Sequence, residues 1–267
     1  MNPELRVTTV QCNLFWEQPE ANRNHIEGLI SDAGEVGEVI ILPEMFTTGF
    51  TMNPETHAEN LESGRCATID WMRQMAKKHE AVVCGSVAIC EEERFLNRLY
   101  WVEPSGQMLY YDKRHLFSLG KEHDHYKSGN KRVIAEWKGW KFSLNICYDL
   151  RFPVWARNAV IDGIPAFDVQ VFVANWPEVR IVHWSRLLQA RAIENQCYVA
   201  GVNRQGEDGN GVAHNGGSQV LDFNGESLMA HPDFKDSVLT TSLIADELHS
   251  FRARLPFLSD ADRFTIH

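Results

Sequence analysis

Residues 142–153 read Phe-Ser-Leu-Asn-Ile-Cys-Tyr-Asp-Leu-Arg-Phe-Pro. The first part belongs to an apolar run that predicts a strand over residues 141–147. The run ends at Cys147, and the residues up to Pro153 follow as a turn. A thiol at the end of a strand projects above the sheet, where nearby positive charge can lower its pKa and backbone N–H groups of the turn can bind an oxyanion. Cys147 is therefore a candidate nucleophile.

Apolar runs along the rest of the chain predict further strands. They cover residues 5–12, 38–42, 81–89, 98–103, 108–112, 169–174, 197–203, 218–222 and 238–244. Helical spacing of apolar residues predicts helices over residues 67–79 and 179–196, and residues 20–33 are a weaker helix candidate. Pro104-Ser105-Gly106 and Asn224-Gly225 are typical of hairpin turns.

The mixture of hairpins and crossover helices indicates the architecture. Strands outnumber helices, so we expect an α/β protein with two packed mixed sheets flanked by helices, not a doubly wound parallel sheet. No Pro/Ser-rich linker, charge block or internal repeat divides the chain, and this predicts a single domain over residues 1–267. Residues 206–217, with five glycines, are predicted to form a loop within that domain.

The composition excludes several classes of function. The 267 residues carry a net charge of −10, and 44% are hydrophobic, as in a globular domain. No cluster of Lys and Arg offers the surface that nucleic acid or an anionic membrane requires, so we expect neither partner. The N-terminus lacks the pattern of a signal peptide, and no run of 18 apolar residues predicts a membrane span.

The cysteines indicate a reducing compartment. Six occur without CxxC pairs, at Cys12, Cys66, Cys84, Cys90, Cys147 and Cys197. In a chain of this length such spacing favours reduced thiols and a cytoplasmic location. Cys66 lies in a Gly-Arg loop. The other cysteines except Cys147 lie within or beside apolar runs and are predicted to be small core residues.

Two further reactive residues follow apolar strands. Glu44 comes after the run at residues 39–43, where reduced solvation raises the pKa of a carboxyl towards that of a useful base. Lys113 follows the strand predicted over residues 108–112 and can supply a fixed cation for a developing oxyanion. Either residue alone is more often an ordinary strand-end residue, so the prediction depends on their combination with Cys147.

The three residues stand in ordered motifs. These are Leu42-Pro43-Glu44-Met45-Phe46, Tyr111-Asp112-Lys113-Arg114-His115 and Cys147-Tyr148-Asp149-Leu150-Arg151-Phe152-Pro153. This pattern resembles the carbon–nitrogen hydrolase (nitrilase) superfamily, whose active site is a Glu, a Lys and a Cys at these motifs. Residues 191–195, Arg-Ala-Ile-Glu-Asn, are similar to that family's helix motif, and Glu122 falls where a second glutamate is expected.

The resemblance implies an α-β-β-α sandwich with Glu44, Lys113 and Cys147 as catalytic residues. Residues 147–152 are similar to the omega-amidase branch, which hydrolyses the terminal amide of short dicarboxylate monoamides such as 2-oxoglutaramate, 2-oxosuccinamate and succinamate. This implies an acyl-thioester enzyme without cofactor or metal ion. Family members usually form dimers, so a homodimer is expected. Residues 179–196 and 251–267 are expected to form the dimer interface. Residues 251–267 are expected to pack either on the core of the same chain or on a partner subunit.

The resemblance also implies supporting residues. Glu122 would orient Lys113 and the substrate amide, and the backbone N–H of Tyr148 would complete the oxyanion hole. Asn175 and Trp176 lie in a segment near the pocket and are candidate substrate-binding residues. Animal omega-amidases resemble this chain less in that segment.

Arg151 is the candidate for binding the distal carboxylate of the substrate. It lies four residues beyond the nucleophile, and a guanidinium can bind a carboxylate through two parallel hydrogen bonds. Such a contact would explain a preference for monoamides of diacids over neutral amides. The alternative is a structural ion pair of Arg151 with Asp149 or another acid.

The sequence leaves alternative interpretations open. Two concern the chemistry, which could use a metal site or be that of a Cys–His hydrolase. Two concern the function, which could be that of a broader aliphatic amidase or nitrilase of the same superfamily, or of a non-catalytic small-molecule binding module. The metal reading uses the cluster His115, His123, Asp124 and His125, although HExxH or CxxC spacing is missing. The Cys–His reading would use His214 or His183 as the base. The set of acid, lysine and thiol makes a histidine base unnecessary.

Overall fold

The computed structural model describes residues 1–64, 66–262 and 264–265. Its strands are β1 Glu4–Gln11, β2 Val39–Ile41, β3 Glu59–Asn60, β4 Val82–Glu91, β5 Arg94–Val102, β6 Met108–Asp112, β7 Ile134–Trp137, β8 Trp140–Ile146, β9 Val160–Ile161, β10 Ile164–Pro165, β11 Val169–Ala174, β12 Tyr198–Asn203, β13 Gln205–Glu207, β14 Ala213–Asn215, β15 Gln219–Leu221, β16 Ser227–Ala230 and β17 Ser237–Ile244. Its α-helices are α1 Pro19–Ala33, α2 Pro54–His57, α3 Ala67–His79, α4 Glu122–His125, α5 Ile181–Asn195 and α6 Ala245–Arg254. Short 3-10 helices cover Leu61–Ser63, Ser118–Gly120, Cys147–Arg151, Glu178–Arg180 and Phe257–Asp260.

Most strands belong to two large mixed sheets. The first has the order β17-β1-β2-β4-β5-β6, with β3 beside β4, and its strands β1, β2 and β4 run parallel. The second has the order β16-β15-β12-β11-β8-β7, and its strands β8, β11 and β12 run parallel. In both sheets antiparallel strands flank a parallel centre. This confirms the predicted α/β fold with two mixed sheets.

The two sheets pack face to face on a shared apolar core. Trp101 of β5 and Phe142 of β8 are both fully buried, and their ring centroids lie 4.7 Å apart across the interface. The central strands have apolar side chains on both faces, as expected for parallel strands covered on both sides. Val39 and Ile41 contact the inter-sheet core, whereas Ile40 faces the helices on the other side.

Helices cover the outer faces of both sheets. Ile26 of α1 and Met72 of α3 pack against the first sheet, and Trp184 and Leu188 of α5 pack against the second. Helix α5 approaches β12 so closely that a Cβ at Gly201 would lie 2.4 Å from Leu188 Cδ1. A glycine is therefore required there. The resulting layers are helices, sheet, sheet and helix, the α-β-β-α sandwich that the resemblance implied.

The predicted elements match the structure to within a few residues. Helix α3 begins and ends as predicted, and the Pro104 and Asn224 turns join β5 to β6 and β15 to β16. Helix α6 is not predicted by the sequence, and neither are several short strands such as β9, β13 and β14, whereas the three-residue strands β2 and β15 are predicted. The missed strands are too short to show a clear period of two, so their sequences read as loops.

Part of the C-terminal segment packs on the chain itself. Phe251 belongs to the inter-sheet core and stacks against Phe223 at 4.6 Å between ring centroids, and Leu258 is also buried. Phe257 and Phe264 are exposed in this chain. Residues 263, 266 and 267 of the segment lie outside the described residues. A role of this segment against a partner subunit stays a prediction.

The outer face of the α5 region carries apolar side chains that this chain does not cover. Val179, Val182 and Ile193 expose 83%, 66% and 55% of their surfaces. Homodimer formation through this region stays a prediction that these side chains favour. In the part of the chain that the structure describes, no helix has the length and apolar character needed to cross a bilayer.

The C-terminal helix is attached to the second sheet by a nearly buried ion pair. Arg252 of α6 contacts Asp168 at 2.8 Å, and its other guanidinium nitrogens donate to the backbone oxygens of Gln196 and Phe167, each at 2.8 Å. Removing one partner of such a pair leaves an uncompensated charge, which costs about 3 kcal/mol.

We therefore expect Arg252→Met to lower the free energy of unfolding by about 3 kcal/mol. The measurement is equilibrium urea unfolding followed by tryptophan fluorescence. Arg254→Met is the matched control, because Arg254 lies in the same helix turn, is exposed and forms no ion pair within the described residues. Equal losses in the two variants would contradict the assignment.

Candidate active site

The predicted site residues lie at the ends of strands from both sheets. Glu44 comes shortly after β2, and Lys113 directly follows β6 of the same sheet. Cys147 and Asn175 directly follow the parallel neighbours β8 and β11 of the second sheet. Because the carboxyl ends of these strands meet at one edge of the sandwich, the four side chains converge around the base of one cavity.

Three charged groups form the centre of this site. Lys113 Nζ donates to Glu44 Oε1 at 2.8 Å and lies 3.0 and 2.9 Å from Glu122 Oε1 and Oε2. All three side chains are completely buried. Burial alone would lower the pKa of Lys113, but the charges of Glu122 and Glu44 outweigh it and raise that pKa above its ordinary value. Lys113 is therefore a permanent cation held between two carboxylates.

The second carboxylate is held by the backbone. The Phe117 N–H donates to Glu122 Oε2 at 2.6 Å. Burial raises the pKa of Glu122, and the charge of Glu44 acts in the same direction while Lys113 opposes it. The two glutamates therefore share a single compensating cation.

Two polar side chains that the sequence analysis missed support this centre. Asn97 Nδ2 donates to Glu44 Oε1 at 2.8 Å, and Asn97 Oδ1 accepts from Ser86 Oγ at 2.8 Å. Ser86 also accepts the backbone N–H of Met45 at 2.8 Å, next to Glu44. Ser86 and Asn97 interrupt the apolar strands β4 and β5, and a fully buried polar residue inside such a strand is the signal that could have identified them.

Cys147 begins a short 3-10 helix with a strained backbone. Its φ is +43°, in the left-handed region that non-glycine residues rarely adopt, and Met45 beside Glu44 has the same φ. Burial raises the pKa of the thiol well above its ordinary value, and Glu44 adds to this effect, whereas Lys113 opposes it. The nearby positive charge of Lys113 does lower this pKa, as expected, but burial and the two carboxylates outweigh the single ammonium group.

Asp149 anchors the turn that carries Cys147. Its buried carboxylate accepts the Ile146 N–H at 3.0 Å, the His115 N–H at 3.0 Å and the Tyr111 hydroxyl at 2.7 Å. Asp149 therefore joins the Lys113 segment to the Cys147 turn. The alternative ion pair of Arg151 with Asp149 is not formed.

Arg151 lies instead in the wall of the cavity. Its guanidinium lies 4.6 Å from the Trp176 ring centroid and 3.3 Å from His183 Nδ1. Within the described residues no carboxylate forms an ion pair with it. Its donors are therefore available to an anionic ligand.

Asn175 and Trp176 both line the cavity, and their N–H groups donate to the protein. The Asn175 backbone N–H donates to Glu44 Oε2 at 2.8 Å, and its side-chain amide donates to the Glu44 backbone oxygen at 2.6 Å. The Trp176 indole N–H donates to the Arg180 backbone oxygen at 2.8 Å. Asn175 thus fixes Glu44, and Trp176 forms an apolar wall.

The cavity has a volume of about 600 Å³. Glu44 and Cys147 lie at its base, and Phe50, Met52 and Phe117 supply apolar surface. Residues 208 and 210–214, from the glycine-rich loop, form part of the wall. This size and mixture of groups suit a small ligand.

The histidines considered for other chemistry occupy different environments. His115 Nδ1 lies 2.8 Å from Asp149, and His123 contacts Asp124. His214 lines the cavity, and its pKa is lowered to about 4, mainly by burial and then by the charge of Arg204. Within the described residues no group of three or more His, Cys, Asp or Glu side chains is arranged to hold a metal ion.

Comparison with known proteins identifies the class of this site. The model of the carbon-nitrogen hydrolase family matches residues 6–253. The chain belongs to this family, as the motifs indicated. It is 43% identical over 265 residues to the omega-amidase YafV of Escherichia coli (strain K12), which covers 99% of both proteins. It is 33% identical over 259 residues to the 2-oxoglutaramate amidase of Bacillus subtilis (strain 168), which covers 95% of this chain and 96% of the relative.

A solved structure agrees with the fold in detail. XC1258 from Xanthomonas campestris, a CN-hydrolase superfamily protein with an arsenic adduct in its active site, is 42% identical to this chain. It superimposes with a TM-score of 0.95 and covers 99% of both chains.

The electrostatics of the thiol can be tested by alkylation. Glu44→Gln removes one of the negative charges that raise the pKa of Cys147, so the pKa should fall. We expect the pH midpoint of alkylation by iodoacetamide to move to lower pH. The measurement is mass spectrometry of the Cys147 peptide between about pH 6 and 11.

Glu55→Gln is the matched control for this change. Glu55 is exposed and does not contribute to the pKa of the thiol, so its loss should leave the midpoint in place. A midpoint in Glu44→Gln that is unchanged or higher than in the wild type would contradict the electrostatic description.

Proposed function

We propose that the protein hydrolyses the terminal amide of short dicarboxylate monoamides, such as 2-oxoglutaramate, 2-oxosuccinamate and succinamate, to the diacid and ammonia. The observation that carries this proposal is the arrangement of the cavity. A thiol beside a buried Glu44–Lys113 pair lies at its base, and the unpaired guanidinium of Arg151 lies in its wall. The names of the omega-amidase and 2-oxoglutaramate amidase relatives support the same substrate class.

The reaction begins with proton transfer from Cys147 to Glu44. The thiolate attacks the amide carbonyl carbon, and the carbonyl oxygen becomes an oxyanion. The Lys113 ammonium group and the backbone N–H of Tyr148 stabilise that oxyanion, because the first amides of a helical turn lack an acceptor within the turn. A single oxyanion donor is worth roughly 3–4 kcal/mol in comparable sites.

The tetrahedral intermediate then loses ammonia. Glu44 returns its proton to the leaving nitrogen, the carbon–nitrogen bond breaks, and the acyl group remains on Cys147 as a thioester. Glu44 next removes a proton from water, whose oxygen attacks the thioester. Breakdown of the second intermediate releases the diacid, and the proton on Glu44 returns to the thiolate.

Glu122 and Asn175 keep this machinery in position. Glu122 and Glu44 both bind the Lys113 ammonium group, and these contacts fix its position. Asn175 holds Glu44 through both a backbone and a side-chain hydrogen bond. We propose Glu122 and Asn175 as positioning residues and Trp176 as the wall that orients the substrate.

Arg151 provides the selectivity for carboxylated substrates. A guanidinium without an acidic partner in an apolar cavity favours a ligand with a carboxylate. This feature distinguishes the proposed activity from that of a broader aliphatic amidase or nitrilase, which would need no cation in this wall. A purely binding role is disfavoured because a complete set of nucleophile, base and oxyanion donors is present. Cytoplasmic location stays a prediction.

The first test is ammonia release from 2-oxoglutaramate, butyramide and propionitrile. We expect turnover of the carboxylated amide and at least about a 1,000-fold loss in Cys147→Ala, because the variant lacks the nucleophile. Cys66→Ala is the matched control, since this thiol lies outside the cavity. Faster turnover of butyramide or propionitrile would contradict the proposed substrate class, and activity retained by Cys147→Ala would contradict the mechanism.

The second test concerns the carboxylate contact. Arg151→Met removes a charge-assisted hydrogen bond, so KM for succinamate should rise about 10- to 100-fold. The weak turnover of butyramide should change little, because this substrate has no carboxylate. Arg151→Lys should recover part of the affinity. An unchanged KM for succinamate in Arg151→Met would remove Arg151 from the substrate site.

A further inference from the structure

A second guanidinium borders the cavity, and neither the motifs nor the proposed mechanism uses it. Arg180 ends the 3-10 helix Glu178–Arg180, directly before α5, and is half-buried in the cavity wall. Its guanidinium lies 5.5 Å from the Phe117 ring centroid. Within the described residues this guanidinium forms no ion pair and no side-chain hydrogen bond. It therefore has five donors available to a ligand.

Arg180 is close to Arg151 through two shared neighbours. Trp176 lies under the Arg151 guanidinium and donates its indole N–H to the Arg180 backbone oxygen. His183 contacts Arg151 at 3.3 Å and follows Arg180 by three residues at the start of α5. Residues three apart at the start of a helix lie side by side. Arg151 and Arg180 therefore both line the cavity and have Trp176 as a common neighbour.

Among the described residues, no acidic side chain forms an ion pair with Arg151 or Arg180. Glu44 at the base contacts Lys113. Asp208 lines the wall, but its Oδ1 accepts the backbone N–H groups of Asn210 and Val212 at 2.8 and 2.9 Å within its own loop. Two guanidinium groups of like charge thus line the cavity without an acidic partner among the described residues, and acceptor atoms of a ligand would stabilise them.

We infer that Arg180 determines specificity by binding the 2-oxo oxygen of the substrate, while Arg151 binds the adjacent carboxylate. This inference rests on the proposed function. A simple monoamide such as succinamate offers one carboxylate, which Arg151 alone can bind. A 2-oxo acid has an additional acceptor oxygen on the carbon next to the carboxylate, within reach of a second guanidinium group. Arg180 thus favours amides of 2-oxo diacids over amides of the corresponding plain diacids.

The test compares 2-oxosuccinamate with succinamate, which have the same chain length and differ only in the oxo group. We expect Arg180→Met to lower the ratio of their kcat/KM values by about tenfold, because a charged donor that binds one acceptor of the substrate contributes about that factor. Arg180→Lys keeps the charge and should recover part of the ratio. Arg186→Met is the matched control, since Arg186 lies on α5, is exposed and does not line the cavity.

The possible results separate this inference from the proposed function. A wild type that hydrolyses neither carboxylated amide would overturn both. A wild type that prefers 2-oxosuccinamate, with an unchanged ratio in Arg180→Met, would overturn only the role of Arg180. An equal loss on both substrates would assign Arg180 to the carboxylate or to the fold and would also overturn the inference. Circular dichroism of each variant shows whether the fold is retained.

Discussion

A fully buried lysine held between two fully buried carboxylates is the constraint on which the site depends. Removing three charges from water costs several kcal/mol for each ion, and only their mutual attraction and complete hydrogen bonding can offset this cost. Lys113 contacts both Glu44 and Glu122, while Asn97, Asn175 and the Phe117 N–H satisfy the remaining carboxylate oxygens. These partners come from both sheets, so the charge cluster is complete only when the sandwich is closed. The contacts that hold the two sheets together at this edge therefore also hold the proposed catalytic groups in position.

Burial and the carboxylates of this cluster explain the state of the thiol. Both raise the pKa of Cys147, so the resting nucleophile is a neutral thiol. In the proposed mechanism, proton transfer from Cys147 to Glu44 moves the negative charge from carboxylate to sulfur without changing the total charge near Lys113. The ammonium group would then stabilise in turn the thiolate, the oxyanion and the carboxylate. A nucleophile that becomes charged only during the reaction is also protected from unproductive alkylation and oxidation.

The sequence predicts the two-sheet architecture and the residues at the centre of the site for a simple reason. Glu44, Lys113 and Cys147 each follow an apolar strand, and the ends of such strands can be located from hydrophobic patterns. The residues that hold them are harder to find, because their roles depend on contacts between distant strands. Asn97 and Asp149 are polar positions beside apolar runs, and nothing in a linear pattern indicates which buried group they bind. The sign of the pKa change at Cys147 is also inaccessible to the sequence, since it depends on the number of carboxylates that surround one ammonium group.

The segment between β11 and α5 contains, within a few residues, a side chain that supports the proposed base and side chains that are proposed to select the substrate. Its first residue, Asn175, binds Glu44 and belongs to the catalytic end of the cavity. Its later residues, Trp176 and Arg180, line the wall of the cavity, where the proposed function places the rest of the substrate. Because Asn175 is fixed by Glu44 and Trp176 by the Asn203 side chain, a change at Arg180 leaves the support of the base in place. Selectivity can therefore change at one end of this turn while the catalytic end keeps its geometry, which is how one active-site design can serve amides of different acids.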